Sequence, residues 1–279
     1  MIAQIAPLWI QMPSPGTSDP EDALSYRTDE DVRRGHEVTL FASTDSCTGA
    51  RLKSLCATPF CQVPENWSQA GATIMTAEQA FRTCADEFDS IHSHCGIEGF
   101  PMARRCPAPT LTTLHDLFDL PEYVSRFKRF RDLPLVSPSD AQRQPVAWAS
   151  SQQTIYPGMP SELYRFNPRP GKHLAVFGSL CLEEGLGPAV ELARRAHFPL
   201  RVASRQGGIG RFSLSRPMEL LIADHGIEWL GEFCEEEEHV FAGEALALVC
   251  AHDWPGSSGR QGHPGRTHTL ARWRSRSAL

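Results

Sequence analysis

No stretch of this chain approaches the roughly 20 apolar residues that a membrane-spanning helix needs. The opening Met1-Ile2-Ala3-Gln4-Ile5-Ala6-Pro7-Leu8 has no basic segment ahead of a long apolar run, so no secretory leader is expected. A cytoplasmic location follows as an expectation, with peripheral membrane association where the substrate is a lipid or a growing glycan. Cysteine is plentiful but its spacing carries no pattern. The nine residues Cys47, Cys56, Cys61, Cys84, Cys95, Cys106, Cys181, Cys234 and Cys250 contain no Cys-x-x-Cys pair. An odd count in a chain of this length argues for free thiols rather than a disulfide framework. His92, His94 and Cys95 are close in sequence, but no second ligand group stands at metal spacing, so no metal is expected. Also missing is any Gly-x-Gly-x-x-Gly between a strand and a helix. Gly207-Gly208-Ile209-Gly210 follows a strand but breaks that pattern, which excludes the usual nicotinamide-dinucleotide grip.

What is present is an ordinary soluble composition of 279 residues, 41% of them apolar. The net charge of −6 is uneven: Gly256 to Leu279 holds five arginines and no acid, leaving −11 on the rest. A basic tail can bind nucleic acid. Here it has no aromatic beyond Trp273 and no reader fold attached, so no nucleic-acid partner is expected.

The hydrophobic pattern alternates between strand and helix. Ile2 to Leu8 reads as a buried strand. Asp19-Pro20-Glu21-Asp22 starts a helix, with an acid at the N-cap and proline at the first helical position. That helix runs to Arg33-Arg34, and Gly35 takes the left-handed position after it. Glu37 to Ala42 is the next strand, completing a right-handed βαβ unit. Further strands are expected at Phe88 to Ser93, Thr110 to Leu114, Leu133 to Ser137 and Gln153 to Tyr156, with helices at Thr76 to Ala85, Gly99 to Arg105 and Ser139 to Gln144. A proline- and glycine-rich stretch, Tyr156 to Gly171, marks a domain junction. A second series follows: strands at Leu174 to Phe177, Leu200 to Ala203, Ile227 to Leu230 and Ala245 to Cys250, helices at Leu186 to Ala196, Arg216 to Asp224 and Glu235 to Gly243. On the Leu186 helix, Leu186, Val190, Ala193 and His197 fall on one stripe. After Asp253-Trp254-Pro255 the periodicity ends and the composition is that of a disordered segment.

Several blocks, in order and at fitting distances over residues 1–255, resemble the family 4 retaining glycosyltransferases. Arg33-Arg34-Gly35-His36-Glu37-Val38-Thr39-Leu40-Phe41-Ala42-Ser43 is similar to that family's first helix end and second strand. Asp89-Ser90-Ile91-His92-Ser93-His94 resembles its D-V-I-H-x-H segment, and Thr112-Thr113-Leu114-His115 its T-x-H. Ile155 to Met159 with Tyr164-Arg165-Phe166 resembles its inter-domain junction. Gly178 to Ala196 resembles G-R-x-x-x-E-K-G…A-I-x-A-A, and Ile227 to Gly231 resembles V-x-F-L-G. The resemblance implies an α/β fold of two Rossmann-like doubly wound parallel-sheet domains (GT-B), the second incomplete. It implies an acceptor-side domain over 1–165, a partial nucleotide-sugar domain over 166–255 and a basic disordered tail over 256–279. The implied reaction is hexosyl transfer from a UDP- or GDP-sugar to a glycan or lipid acceptor, with no cofactor. Helix N-termini and cations neutralise the leaving diphosphate in such sites.

By the same resemblance His115, at a strand end, is the catalytic candidate. Gly16, Glu21, His92 and His94 are acceptor-side candidates, and Gly178, Ser179, Glu184 and Gly231 lie on the donor side. The departures from the family are specific. Its paired glycines in the first loop are replaced by Ser18-Asp19-Pro20-Glu21. Its phosphate-binding arginine and lysine are replaced by Ser179 and Glu184, exchanging two cations for a neutral and a negative group. Loss of one such stabiliser costs on the order of 10²–10³ in rate. Where its E-x7-E motif should begin, the chain reads Gly256-Ser257-Ser258-Gly259-Arg260-Gln261, and no glutamate follows Glu244. A frameshift near codon 255, a truncated second domain and impaired turnover are therefore expected, with a catalytically inactive relic or binding module as the alternative. A second sheet cut short exposes an edge strand, so self-association is expected too. On the first helix, Leu24, Arg27 and Asp31 stand where an apolar stripe belongs, with Arg27 and Asp31 at pairing distance.

Overall fold

The computed structural model describes residues 1–9, 11–13, 20–62, 68–84, 87–115, 121–158, 160–161, 167–169, 171–177, 186–205, 220–223, 227–233, 235–250 and 269–271. The chain divides into two compact units that part after Gly158. Each is built on its own sheet.

The first unit holds seven parallel strands in the order β3-β2-β1-β4-β5-β6-β7. These are β1 (Ile2–Ile5), β2 (Val38–Ser43), β3 (Arg51–Cys56), β4 (Ser90–Ser93), β5 (Thr110–Thr113), β6 (Leu135–Ser137) and β7 (Ser151–Thr154). The helices are α1 (Pro20–Arg33), α2 (Gln69–Cys84), α3 (Phe100–Ala103), α4 (Pro121–Arg129) and α5 (Asp140–Arg143). Proline opens α1, where its missing N–H costs nothing. Gly35 closes it at φ +87°, with its N–H on the Val32 carbonyl and the His36 N–H on that of Asp31. A side chain at that φ is strained, so glycine is required.

The sheet's pleat sorts its residues between two layers. Ala3, Ile5, Phe41 and Ile91 pack with Ala77, Ala80 and Phe81 of α2 and with Phe100 and Phe127. On the opposite face Leu40, Ala42, Ala6 and Met12 pack with Leu24 of α1. Covering both faces is what a parallel sheet needs. Two elements have no counterpart in the sequence reading. β3 is an edge strand whose side chains are partly exposed, so it has no buried run to betray it. α4 is amphipathic but short, and it buries chiefly Phe127.

The second unit holds β8 (Leu174–Phe177), β9 (Leu200–Arg205), β10 (Glu228–Phe233), β11 (Ala247–Cys250) and β12 (Thr269–Ala271), ordered β10-β9-β8-β11-β12. The first four are parallel and β12 runs antiparallel to β11. The Gly-, Ser- and Arg-rich composition around β12 gives no sign of a strand. Helix α6 (Gly187–Ala196) buries Ala189, Val190 and Ala193 against Leu174, Val176, Leu200 and Val202. His197 is not part of that stripe. It is exposed and caps the helix at φ +56°. On the other face Phe241 of α7 (Glu235–Glu244) packs on Ala175 and Ala203. The helix expected at Arg216 to Asp224 lies partly outside the described residues; 220–223 are helical.

Candidate functional site

Chain order and strand order reverse between β1 and β4. From β1 the chain moves outward through β2 and β3, then returns to β4 on the other side. Open α/β sheets bind ligands outside the carboxyl ends of the strands at such a reversal. His94 follows β4 directly, and its N–H donates to the Ile5 carbonyl at the end of β1. His115 stands two residues beyond the end of β5. His92 lies within β4, in register with Gln4 of β1 and Leu111 of β5. Register partners share a face, so Gln4, His92 and the residues two further along lie on the α1 side.

The three histidines form one cluster. His92 Nε2 is 2.7 Å from Thr113 Oγ1. His94 Nδ1 is 2.9 Å from His115 Nε2. Ring centroids of His92 and His94 are 4.2 Å apart, and those of His94 and His115 are stacked at 5.2 Å. Burial disfavours their charged forms. It is the main cause that holds His92 down at about 3, with Arg27 and His115 adding to it. His94 is pushed well below its ordinary value by burial, then by His92, His115 and Arg27. His115 is lowered to about 4 by burial. At neutral pH the cluster is therefore three uncharged imidazoles, able to exchange hydrogen bonds but carrying no charge for a phosphate.

Beside them lies a polar network under α1. Arg27 Nε donates to both oxygens of Asp31, at 3.1 and 3.0 Å. Gln4 Nε2 donates to Asp31 Oδ2 at 3.2 Å. The Arg27–Asp31 pairing expected from spacing is thus present. Asp31 is only 8% exposed while Arg27 is half open to solvent. Gln4, fully buried in the middle of an apolar strand, was the one outlier in the sequence that could have pointed here.

Glu21 lies in the first turn of α1. Gly16, Gly178, Ser179 and Glu184 lie outside the described residues. Gly231 sits within β10 at φ +91°, where the pairing with β9 shifts register between Trp229 and Glu232. That irregularity explains a glycine there on backbone grounds alone. Among the described residues no group of three or more His, Cys, Asp or Glu side chains is arranged to hold a metal. No helix there is long and apolar enough to cross a membrane.

No protein-family model matches the chain, and no curated protein matches it in sequence. Solved structures do. AviGT4, a glycosyltransferase involved in avilamycin A biosynthesis, superposes with a TM-score of 0.61 at 18% identity, over 95% of this chain and 73% of that one. A UDP-N-acetylglucosamine 2-epimerase from Rickettsia bellii gives 0.54 at 12% identity, over 88% and 72%. Os79 from O. sativa, in complex with U2F and trichothecene, gives 0.52 at 11% identity, over 89% and 76%. The fold is the GT-B one, two Rossmann-like parallel-sheet domains. It is shared here with transferases and with an epimerase, so the fold alone does not name the reaction.

Proposed function

We propose that this chain is a GT-B glycosyltransferase of the retaining family 4 kind, binding its acceptor on the first unit and a UDP- or GDP-sugar on the second. The observation that carries the reading is the neutral histidine cluster at the β1–β4 reversal, with His115 at the end of β5. Uncharged imidazoles suit the hydroxyls of a sugar or glycan and do not suit a phosphate, so they belong to the sugar-facing side of the reaction. Arg27, half open to solvent beside them, extends that polar surface. A lipid-linked acceptor would bring the protein to a membrane surface without a spanning helix.

Turnover is impaired on this reading. Ser179 and Glu184 stand where the family keeps two cations for the leaving diphosphate, and Gly256 to Gln261 stands where its E-x7-E begins. Those departures favour the second reading, a catalytically inactive GT-B relic or binding module. Calorimetry with UDP- and GDP-sugars, run beside assays of donor hydrolysis and of C2 epimerisation, separates these. Micromolar binding with sugar release supports a working transferase, and binding without release supports the inactive form. No binding of any nucleotide-sugar also supports the inactive form, and epimerisation of the sugar refutes both.

A further inference from the structure

The hydrogen bond between His94 and His115 has a direction, and the surroundings of His94 decide it. A neutral imidazole carries one N–H and one bare lone pair. If His115 Nε2 donated, His94 would carry its own proton on Nε2. If His94 Nδ1 donates, His94 Nε2 is a bare lone pair. That Nε2 is buried without a hydrogen-bond partner. A buried orphan N–H is rarer and costlier than an under-satisfied acceptor. The charge of the Arg27 guanidinium, which already disfavours a proton on His94, also favours a lone pair over an N–H dipole. Both arguments put the shared proton on His94 Nδ1. His115 Nε2 is then the acceptor and the His115 proton is on Nδ1. His115 is partly exposed, and its Nδ1 is not among the buried orphan atoms.

We infer that His94 is a positioning residue that locks His115 as the Nδ1–H tautomer, so that the end of β5 offers a neutral hydrogen-bond donor to a ligand oxygen rather than a base to a ligand hydroxyl. The ligand side of this statement rests on the functional reading above; the tautomer does not. It fixes the class of group His115 serves: a sugar hydroxyl or ring oxygen that accepts. The lock also runs against the preference of free imidazole, which holds its proton mostly on Nε2, so it is diagnostic of an imposed partner.

The test is multiple-bond proton–nitrogen NMR of the imidazoles in the full chain near neutral pH, with His115 assigned by its loss in a His115→Phe variant. A pyrrole-type Nδ1 and a lone-pair Nε2 on His115, with the shared proton coupled to His94 Nδ1 across the hydrogen bond, is the expected result. Replacing His94 by phenylalanine, which keeps a planar ring and removes the donor, should lower the Nδ1–H to Nε2–H ratio of His115 by roughly tenfold, the worth of one buried hydrogen bond. A proton on His115 Nε2 in the unaltered chain overturns the proposal whatever the variant does. An unchanged tautomer in a folded His94→Phe protein overturns the positioning role. Should that variant not fold, the trans-hydrogen-bond coupling in the unaltered chain decides alone. Loss of sugar binding with the tautomer as stated refutes the functional reading and leaves the lock standing.

Discussion

Acidifying the solution should open the first unit before the Glu30 carboxylate gives way. His92 has an unfolded value of 6.5 and a folded value of about 3. A group lowered on folding binds more protons in the unfolded chain, so stability falls as pH drops below 6.5 and goes on falling until the folded value is reached. Between about pH 7 and about pH 4.5 this histidine alone removes about 2.5 kcal/mol. His94 is shifted in the same direction. His115, lowered to about 4 but partly open to solvent, adds a fraction of a similar amount. A loss of about 3–5 kcal/mol is a large share of the 5–15 kcal/mol that holds a typical domain. Carboxylates act lower: Glu30, hydrogen-bonded by Arg33 and then Arg34, sits at about 2, and its contribution is lost only below its ordinary value of 4.5. His173 of the second unit is also lowered by burial, so the readout must be local. Urea unfolding followed by amide exchange in peptides covering β4 and β5, corrected for the intrinsic rate, supplies it. His92→Gln leaves a polar atom for Thr113 and should flatten the slope by about half. A loss under ~1 kcal/mol across the window, or a slope the variant leaves untouched, would show that the cluster is not held neutral.

Other outcomes follow from single contacts. Gly35→Ala should cost about 1 kcal/mol in urea unfolding, because φ +87° strains any Cβ; no cost would mean that the turn relaxes. Asp31→Ala should cost about 1–3 kcal/mol, since it strands the buried Gln4 amide; a neutral result would make the network ornamental. Leu24→Ala should lose about 2–5 kcal/mol as a core cavity, read by the same melts. If turnover is impaired as proposed, Ser179→Arg combined with Glu184→Lys should leave a donor-hydrolysis assay unchanged, because Gly256 to Gln261 still stands where the resemblance puts the glutamate motif; a gain of hydrolysis would place the proposed defect at those two positions.

The parts of this molecule that could be read from sequence are those where burial writes a period. Ile2 to Ile5, Val38 to Ser43 and Leu174 to Phe177 are apolar because neighbours cover both faces, and their strands lie close to the expected bounds. Gly35 and Pro20 mark the ends of α1 because only they suit those backbone positions cheaply. β3 escaped because an edge strand has one neighbour and partly exposed side chains. The histidines were visible as residues at strand ends. Their mutual contacts were not, because the 21-residue separation of His94 from His115 closes only when β4 pairs with β5. The Arg27–Asp31 pair was visible as a spacing but looked like wear on an apolar face. Gln4, reaching it from β1, shows why the pair survives there: Asp31 accepts from two elements at once, which isolated i, i+4 geometry cannot reveal.

That correction bears on how a worn sequence should be weighed. A polar residue at a core position lowers stability unless its neighbours satisfy it, so unsupported wear leaves orphaned groups. In the first unit the out-of-pattern residues are bonded to one another, Gln4 to Asp31, Asp31 to Arg27, His92 to Thr113 and His94 to His115, with Gln4 Oε1 and His94 Nε2 left unpartnered. On the family 4 reading proposed above, the departures at Ser179 and Glu184 fall on the donor side. On that same reading the polar contacts at the strand ends of the first unit belong to the sugar-facing side, and Ser179 and Glu184 replace the cations of the phosphate side. Binding of a free glycan or polyol to the first unit, measured by imidazole shifts in the absence of nucleotide, should then outlast any nucleotide-sugar affinity. A chain that binds nucleotide but leaves those shifts unmoved by sugar would reverse that assignment.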